Sequence, residues 1–205
     1  MKYILVRHVE TTGNAEGRFN GWTESEYTPR GIQMKAILED ELVKIDQTTP
    51  IDLIYASPIA RARIIGEEMA GRLNQPLMVD ETLKEFNFGI FDGLTPQEAM
   101  NRDRAAWEAW MADYNHQPVP GGENYVDYHK RLKTFLAEHQ KDHLNKTVLI
   151  IAHGGTVHSL LLNLLELPMD SKWHFKIELG GIAIIDCPEG YGILEKLYTP
   201  DYSEK

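Results

Sequence analysis

Two histidines each follow a short apolar run, and their chemistry suggests a shared site. His8 comes after residues 3–6, Tyr-Ile-Leu-Val, and Arg7, while His153 comes directly after residues 148–152, Val-Leu-Ile-Ile-Ala. Both runs are typical of buried strands. Ligands in open α/β sheets bind beyond the carboxyl ends of the strands, so adjacent strands here would bring the two imidazoles together. An imidazole beside a guanidinium suits an anionic substrate, most simply a phosphate.

The remaining sequence predicts strands that alternate with helices. Three helix starts carry a signal: proline after Thr28, a Ser57 cap for a helix over residues 58–72, and capping-box spacing over residues 95–98 for a helix that includes Trp107 and Trp110. Further helices are predicted over residues 124–142 and 155–166, and further strands over residues 2–6, 52–56, 77–79, 174–178, 181–186 and 191–197. This alternation predicts a three-layer α/β/α fold with a mostly parallel central sheet, formed by one domain over residues 1–205.

Charge and composition limit the partners of the chain. The formal net charge of -10 argues against binding to nucleic acid, which requires a positive face. Local arginines can still bind an anion, because salt screens carboxylates beyond about 8 Å. No run approaches the ~18 apolar residues of a membrane span, and we see no signal-peptide pattern. Cys187, the single cysteine, is expected to be a packed thiol. We therefore expect a cytoplasmic protein that does not act on membranes.

A family resemblance begins at the first histidine. Residues 7–14, Arg-His-Val-Glu-Thr-Thr-Gly-Asn, resemble the Arg-His-Gly-Glu-Thr-x-x-Asn signature of the histidine phosphatase superfamily, which contains phosphoglycerate mutases and several small phosphatases. Further segments agree in the family's order: Gly21-Trp22 with residues 27–31, residues 57–62, residues 83–89, Gly122-Glu123 and residues 153–155. The resemblance spans most of the chain and implies a phosphoglycerate mutase-like fold.

The resemblance implies a role for both histidines and for two arginines. His8 corresponds to the nucleophile of the family, and His153 corresponds to the second pocket histidine, which binds the transferring phosphoryl group. Arg7 and Arg61 match the arginines that clamp phosphate oxygens. The fixed donors of a guanidinium suit a phosphoryl group whose charge is spread over three oxygens.

Three other positions complete the implied site. Asn14 and Gly154 correspond to further phosphate-binding positions, and Glu85 is the expected proton donor. An alkoxide leaves poorly, so a carboxylic acid must protonate the leaving oxygen as the P–O bond breaks. Glu10 lies near His8 without the companions of a metal site, and the resemblance implies neither a metal nor a cofactor.

Several residues carry a different expectation. Val9 stands where the family usually has glycine, and a β-branched residue resists positive φ. Either the backbone is extended at Val9, or the phosphate site is altered. The other histidines are expected to have surface or packing roles: His116, His129, His139, His143, His158 and His174.

The middle and the end of the chain resemble bacterial α-ribazole phosphatases of cobalamin biosynthesis. This resemblance rests on Trp107 and Trp110, which lead toward residues 120–123, and on residues 173–180, Trp-His-Phe-Lys-Ile-Glu-Leu-Gly. Aromatic walls suit a flat benzimidazole. The 3-phosphoglycerate of a mutase would need an additional basic subsite, and the motif segments offer few cations for one.

We therefore predict a metal-independent phosphomonoester hydrolase that acts on a small molecule through a phosphohistidine, with α-ribazole 5'-phosphate as the substrate. A broad-specificity sugar phosphatase or a phosphoglycerate mutase is the alternative within the enzyme class. A non-catalytic phospho-ligand or protein-binding module is the alternative from another class, and retention of both histidines, both arginines and Glu85 argues against it. The sequence allows a homodimer.

Overall fold

The computed structural model describes residues 1–203 and contains a six-stranded sheet. The strands are β1 (Lys2–Arg7), β2 (Leu53–Ala56), β3 (Leu77–Val79), β4 (Thr147–Ala152), β5 (Ile182–Asp186) and β6 (Ile193–Tyr198). They lie in the order β3-β2-β4-β1-β5-β6. The first four of these run parallel, whereas β5 pairs antiparallel with β1 and β6 pairs antiparallel with β5. The mostly parallel sheet is therefore confirmed.

Helices cover both faces of this sheet. They are α1 (Thr12–Ala15), α2 (Pro29–Thr48), α3 (Ala60–Leu73), α4 (Pro96–Arg102), α5 (Arg104–Ala112), α6 (Tyr125–His139) and α7 (Gly154–Leu164). Short 3-10 turns cover Glu81–Leu83, Gly89–Phe91, Met169–His174 and Pro188–Gly190. Within residues 1–203, no helix combines the length and the apolar character needed to cross a membrane.

Side-chain alternation along the strands produces two apolar cores. In β1, Tyr3 and Leu5 belong to one core, and Ile4 and Val6 belong to the other, because successive strand residues point to opposite faces. Residues of α6 and α7 pack in the first core, and residues of α2 and α3 pack in the second. The sheet is thus the middle of three layers, as the sequence predicted. Cys187 lies buried after β5, where burial raises the pKa of its thiol to about 11, so it is a packed thiol.

The prediction that Ser57 caps a helix was wrong. Helix α3 begins at Ala60, and its N-cap position is Ile59, which has no side-chain cap. The Ser57 hydroxyl is instead 2.7 Å from His153 Nε2. Toward α3, the hydroxyl accepts a hydrogen bond from the Ile59 N–H at 3.3 Å. Ser57 therefore contacts a histidine at the end of β4 and does not cap α3.

The capping box at Thr95 is confirmed, but the helix that follows it is interrupted. The Thr95 hydroxyl accepts from the Glu98 N–H, and the Glu98 carboxylate accepts from the Thr95 N–H. Asp103 has an extended backbone with φ of -154°, and this residue ends α4. The Asp103 carboxylate then caps α5 by accepting from the Ala106 N–H at 3.0 Å. Both predicted tryptophans therefore lie on a separate short helix.

The predicted strand over residues 174–178 was also wrong. The edge of β1 that faces away from β4 is already occupied by β5. Backbone carbonyls of the segment accept hydrogen bonds from side chains instead of from a strand: Phe175 O lies 2.9 Å from His158 Nε2, and Ile177 O accepts from Arg7 Nη1 at 2.7 Å. The segment thus lies beside Arg7 and His158 and is not a strand of the sheet.

Candidate active site

Three neighbouring parallel strands end in polar side chains at one edge of the sheet. Ser57 directly follows β2, His153 directly follows β4, and His8 directly follows Arg7, the last residue of β1. The His8 N–H donates to Ala152 O at 2.9 Å, so the register continues past the last strand residues. The two imidazole centroids lie 5.2 Å apart. The predicted convergence of the two histidines is confirmed.

The contacts of His8 define its tautomer. Nδ1 lies 2.7 Å from Val9 O, and Nε2 lies 3.2 Å from Arg61 Nε. A guanidinium can only donate, so Nε2 must accept and the proton must be on Nδ1. Burial, followed by the charges of Arg61 and Arg7, holds the pKa of His8 well below its usual value. His8 is therefore a neutral imidazole whose Nε2 carries a lone pair.

Arg61 is almost fully buried at the start of α3, and backbone carbonyls fix its orientation. Nη1 donates to Thr23 O at 2.9 Å, and Nη2 donates to Asn20 O at 2.7 Å and to Gly21 O at 2.6 Å. These carbonyls belong to the loop after α1, which contains the Gly21-Trp22 segment of the family signature. That segment therefore helps to orient Arg61. The guanidinium is thus oriented before any ligand arrives, with Nε directed at His8.

Arg7 enters the same site from β1 and keeps a free donor. Nη1 donates to Ile177 O, but Nε is buried without a hydrogen-bond partner in residues 1–203. A side chain at position 154 would place its Cβ 3.1 Å from Arg7 Nε and Cζ, so any larger residue there would require the Arg7 side chain to shift by a few tenths of an ångström. Burial lowers the pKa of Arg7, and the charges of Glu85 and Glu178 act in the opposite direction.

His153 is fully buried and is held through one nitrogen. Nε2 contacts the Ser57 hydroxyl, whereas Nδ1 has no hydrogen-bond partner in the described part of the chain. Burial, then the charges of Arg61 and neighbouring His8, hold the pKa of His153 well below its usual value. Buried polar atoms are normally hydrogen-bonded. The unpartnered His153 Nδ1 and Arg7 Nε are thus available to an anionic ligand.

The Glu85 carboxylate is nearly buried and accepts three hydrogen bonds. Oε1 accepts from the Tyr128 hydroxyl at 2.6 Å and the Phe86 N–H at 2.8 Å, and Oε2 accepts from the Gly155 N–H at 2.9 Å. Thr156 Oγ1 lies 2.8 Å from the same hydroxyl. Three donors thus fix the orientation of the carboxylate. Tyr128 was not predicted from the sequence, where it is marked only by its place on the apolar face of α6.

Asn14 is held by one end of its amide. Oδ1 accepts from the Thr11 N–H at 3.1 Å and from the Thr11 hydroxyl at 2.8 Å. Among residues 1–203, no hydrogen bond uses Asn14 Nδ2, so this group remains able to donate. Val9, next to His8, does not have a positive φ, and its side chain is fully buried in the core that contains Val6. The Val9 side chain thus packs into the core, and the backbone at this position does not need glycine.

Other charged side chains near the signature pair with residues outside the site. The Glu10 carboxylate accepts from the Thr28 hydroxyl at 2.6 Å and from Arg30 at 2.8 Å. Arg18 pairs with Glu16 and Glu98. No group of three or more histidine, cysteine or acidic residues in the described chain could hold a metal ion.

A cavity of about 260 Å³ adjoins the site at Glu85 and Gly155. Its aromatic walls are Phe86, Phe88, Trp110, Tyr114, Tyr125, Tyr128 and Trp173. The predicted aromatic environment therefore exists, although Trp107 is not among the cavity walls. The expectation of few cations overlooked Lys172, which also lines the cavity, as does His158. Nothing in the sequence marks that lysine as different from a surface residue.

The sequence profile of the histidine phosphatase superfamily (branch 1) matches residues 3–199, so the chain belongs to this superfamily. The chain is similar to phosphoserine phosphatase 1 of Hydrogenobacter thermophilus, with 27% identity over 197 residues, 96% of this chain and 92% of that protein. It is 25% identical over 197 residues to the adenosylcobalamin/α-ribazole phosphatase of Escherichia coli, covering 96% and 95% of the two chains. The crystal structure of the α-ribazole phosphatase from Shigella flexneri matches with a TM-score of 0.88 at 26% identity, covering 96% of both chains.

Proposed function

We propose that this chain hydrolyses phosphomonoesters through a phosphohistidine at His8 and needs no metal ion. The observation that carries the proposal is the pair of hydrogen bonds at His8. Val9 O accepts the Nδ1 proton, and Arg61 Nε faces the Nε2 lone pair. A neutral imidazole oriented in this way between two arginines can attack the phosphorus atom of a bound anion.

In the first step, Arg7, Arg61 and His153 bind the phosphate oxygens. Arg61 Nε transfers its hydrogen bond from His8 to a phosphate oxygen, which frees the Nε2 lone pair. Nε2 then forms a bond to phosphorus while the bond from phosphorus to the alcohol oxygen breaks. Asn14 Nδ2 supplies a further donor to the phosphate, and Ser57 holds the His153 ring through Nε2.

Glu85 protonates the departing alcohol oxygen. Its carboxylate is held by the Tyr128 hydroxyl and by the Phe86 and Gly155 N–H groups, at the side of the site that faces the cavity. We infer that the ester binds as its monoanion and that its proton passes to Glu85. In the second step Glu85 takes a proton from a water as that water attacks the phosphohistidine. The P–N bond breaks, its electron pair returns to His8 Nε2, and the proton on Glu85 leaves with the released phosphate.

The alcohol part of the ester occupies the cavity beside Glu85. Aromatic walls there support α-ribazole 5'-phosphate as the substrate, because a flat benzimidazole can pack on them. The similarity to α-ribazole phosphatases supports the same substrate. A phosphorylated hydroxy acid, such as phosphoserine, is the second candidate, favoured by the cation at Lys172 and by the similarity to a phosphoserine phosphatase.

A covalent trapping experiment tests the mechanism. The protein is incubated with a ³²P-labelled phosphomonoester and quenched, and the label is expected to be stable in base and lost in acid. His8→Ala abolishes labelling, whereas the exposed control His116→Ala retains it. Activity persists in EDTA. A phosphoserine adduct, or loss of activity on chelation, would contradict the proposed mechanism.

Turnover of a panel of phosphomonoesters tests the identity of the alcohol part of the substrate. For the α-ribazole assignment, kcat/KM for α-ribazole 5'-phosphate exceeds that for 3-phosphoglycerate by about tenfold or more, and mutase activity with a bisphosphoglycerate primer is negligible. A preference for 3-phosphoglycerate with mutase activity identifies a mutase instead. Turnover of no ester together with tight binding of a phosphorylated ligand supports a binding module.

A further inference from the structure

The half-buried carboxylate of Asp92 binds the backbone of the loop that holds Arg61. Its Oδ1 accepts from the Gly21 N–H at 3.2 Å and from the Thr23 N–H at 3.3 Å, and its Oδ2 accepts from the Trp22 N–H at 2.7 Å. Hydrogen bonds to a carboxylate are stronger than those between neutral groups. A single side chain thus holds three consecutive amides of this loop.

Two of these amides belong to the peptide units that hold Arg61. The Asn20 carbonyl and the Gly21 N–H form one unit, and the Gly21 carbonyl and the Trp22 N–H form the next. Both carbonyls accept from Arg61 Nη2, at 2.7 Å and 2.6 Å. A trans peptide unit is planar, and its N–H and C=O point in opposite directions. Asp92, on one side of each unit, therefore fixes the direction of the carbonyl that meets Arg61 on the other side.

Glycine at position 21 allows the loop to lie this close to Asp92. A Cβ at that position would be 2.6 Å from Asp92 Oδ2 and 2.5 Å from the backbone oxygen of Phe86. The φ of Gly21 is not positive, so the need for glycine here is steric. A larger residue would push the loop away from the carboxylate.

The charge of Asp92 also acts on Arg61. Burial lowers the pKa of Arg61, and the charges of Glu85, Glu24 and Asp92 act in the opposite direction. No aspartate or glutamate of residues 1–203 forms an ion pair with this arginine. Hydrogen bonds in a chain polarise one another, so a carboxylate on the N–H of a peptide unit strengthens the carbonyl of that unit as an acceptor. Asp92 thereby supports a buried cation that it does not touch.

We propose that Asp92 is a positioning residue for Arg61. It holds the guanidinium, through the two peptide units, in the orientation in which Nε meets His8 and then a phosphate oxygen. This inference rests on the proposed function, since it concerns the arginine clamp of that site.

A double-mutant cycle with 4-nitrophenyl phosphate tests whether Asp92 acts through Arg61. In Asp92→Asn one oxygen becomes an NH2 group that cannot accept, so at least one loop N–H loses its partner. The backbone hydrogen bonds that join Phe19 to residues 93–94 remain and keep the loop in place. The substitution lowers kcat/KM by about tenfold when Arg61 is present, because misplacing an oriented group is costly. In the Arg61→Ala background it changes kcat/KM by less than about twofold.

The choice of ester isolates the arginine. Trp22, in the same loop, donates its indole N–H to Glu85 O at 2.9 Å, so a displaced loop could also disturb the proton donor. Nitrophenolate is a good leaving group and needs little help from an acid. The cycle with this ester therefore reports on Arg61.

Asp46→Asn is the matched control. Asp46 is also half-buried, and its carboxylate accepts the Ile51 N–H at 2.8 Å before β2, at the end of the sheet opposite the site. This variant leaves kcat/KM unchanged in both backgrounds. Equal losses from Asp92→Asn with and without Arg61, or no loss at all, refute the positioning role.

Gly21→Ala repeats the test and replaces Asp92→Asn if that variant does not fold. It keeps the carboxylate but displaces the loop from it, because the added Cβ would lie too close to Asp92 Oδ2. The expected loss in kcat/KM is again about tenfold with Arg61 and less than about twofold in Arg61→Ala. The same loss in both backgrounds would contradict the proposal.

Binding of inorganic phosphate separates positioning from catalysis. Calorimetry is expected to show that Asp92→Asn raises the Kd for phosphate by about threefold or more when Arg61 is present and leaves it unchanged in Arg61→Ala. That result without a phosphohistidine refutes the catalytic proposal alone. A phosphohistidine together with equal effects of Asp92→Asn in both backgrounds refutes the positioning role alone.

Discussion

Arg61 donates its Nε–H to Nε2 of His8 across 3.2 Å. This contact links an almost fully buried cation to the lone pair of the proposed nucleophile. Because three backbone carbonyls from Asn20, Gly21 and Thr23 hold the rest of the guanidinium, the contact does not depend on a bound ligand. A phosphate that enters the site takes over a donor that is already oriented, which is the arrangement expected for electrostatic stabilisation of a transition state.

Replacing Arg61 or Arg7 with alanine lowers kcat by ~10²-fold or more, the effect of removing one oriented donor to a transition state. Arg61→Lys loses a similar amount, because lysine cannot reproduce the fork that meets His8 and the loop carbonyls together. Steady-state kinetics measure both effects. Arg63→Ala, on the same helix but paired with Glu67 at the surface, serves as the control and retains activity. Full activity of Arg61→Lys would show that a positive charge at this position is enough for catalysis and that the guanidinium geometry is not needed.

Replacing Glu85 with glutamine removes the proton donor, and its effect depends on the alcohol. Alkyl phosphates, whose alkoxides leave poorly, lose much more activity than aryl phosphates. The dependence of kcat on pH also loses the limb that reports the general acid. Kinetics over a series of esters measure both quantities, with the exposed Glu81→Gln as the control. Equal losses for alkyl and aryl esters would rule out proton donation by Glu85.

Replacing Val9 with alanine affects stability more than catalysis. The valine side chain is fully buried in the core with Val6, and its loss lowers the free energy of unfolding by about 1 to 3 kcal/mol. The Val9 carbonyl that accepts from His8 is part of the backbone, so kcat stays close to the wild-type value. Urea unfolding and kinetics test the two halves of this prediction. A large gain of activity in Val9→Gly would show instead that valine impairs the phosphate site.

His143 makes the protein less stable in mild acid. It is fully buried between the hydroxyls of Tyr3 and Tyr55, and burial lowers the pKa of His143 to about 4. Between pH 6.5 and pH 4 the unfolded chain binds a proton at this histidine that the native chain does not bind. Its contribution to the free energy of unfolding is therefore complete above pH 6.5 and declines as the pH falls toward 4, by up to ~1.4 kcal/mol per pH unit.

Urea unfolding at several pH values tests this expectation in His143→Gln. Glutamine can still bond to the two tyrosines but does not titrate, so the variant has a shallower loss of stability between pH 6.5 and pH 4. His8 and His153, whose pKa values are also lowered, keep part of the slope in both proteins. His116→Gln, at the surface, leaves the slope unchanged. An identical slope in His143→Gln would contradict the buried neutral state of His143.

Local signals in the sequence determined the elements that carry the site. The apolar runs before His8 and His153 identify two strands, and parallel strand ends meet at one edge of a sheet. The capping box at Thr95 could also be predicted, because both partners lie within four residues. The family signature added Arg61 and Glu85. Each of these predictions depends on near neighbours or on a motif that is written in the chain.

Tertiary contacts decided the rest, because they join residues that are far apart in sequence. The Ser57 hydroxyl meets His153 across 96 residues, and the Tyr128 hydroxyl meets Glu85 across 43 residues. Periodicity shows which side of a helix is buried, but it does not show which group a side chain will meet there. Lys172 is the clearest case. A lysine avoids the interior unless other side chains surround its charge, and only the packing of distant aromatic rings around the chain after α7 created that environment.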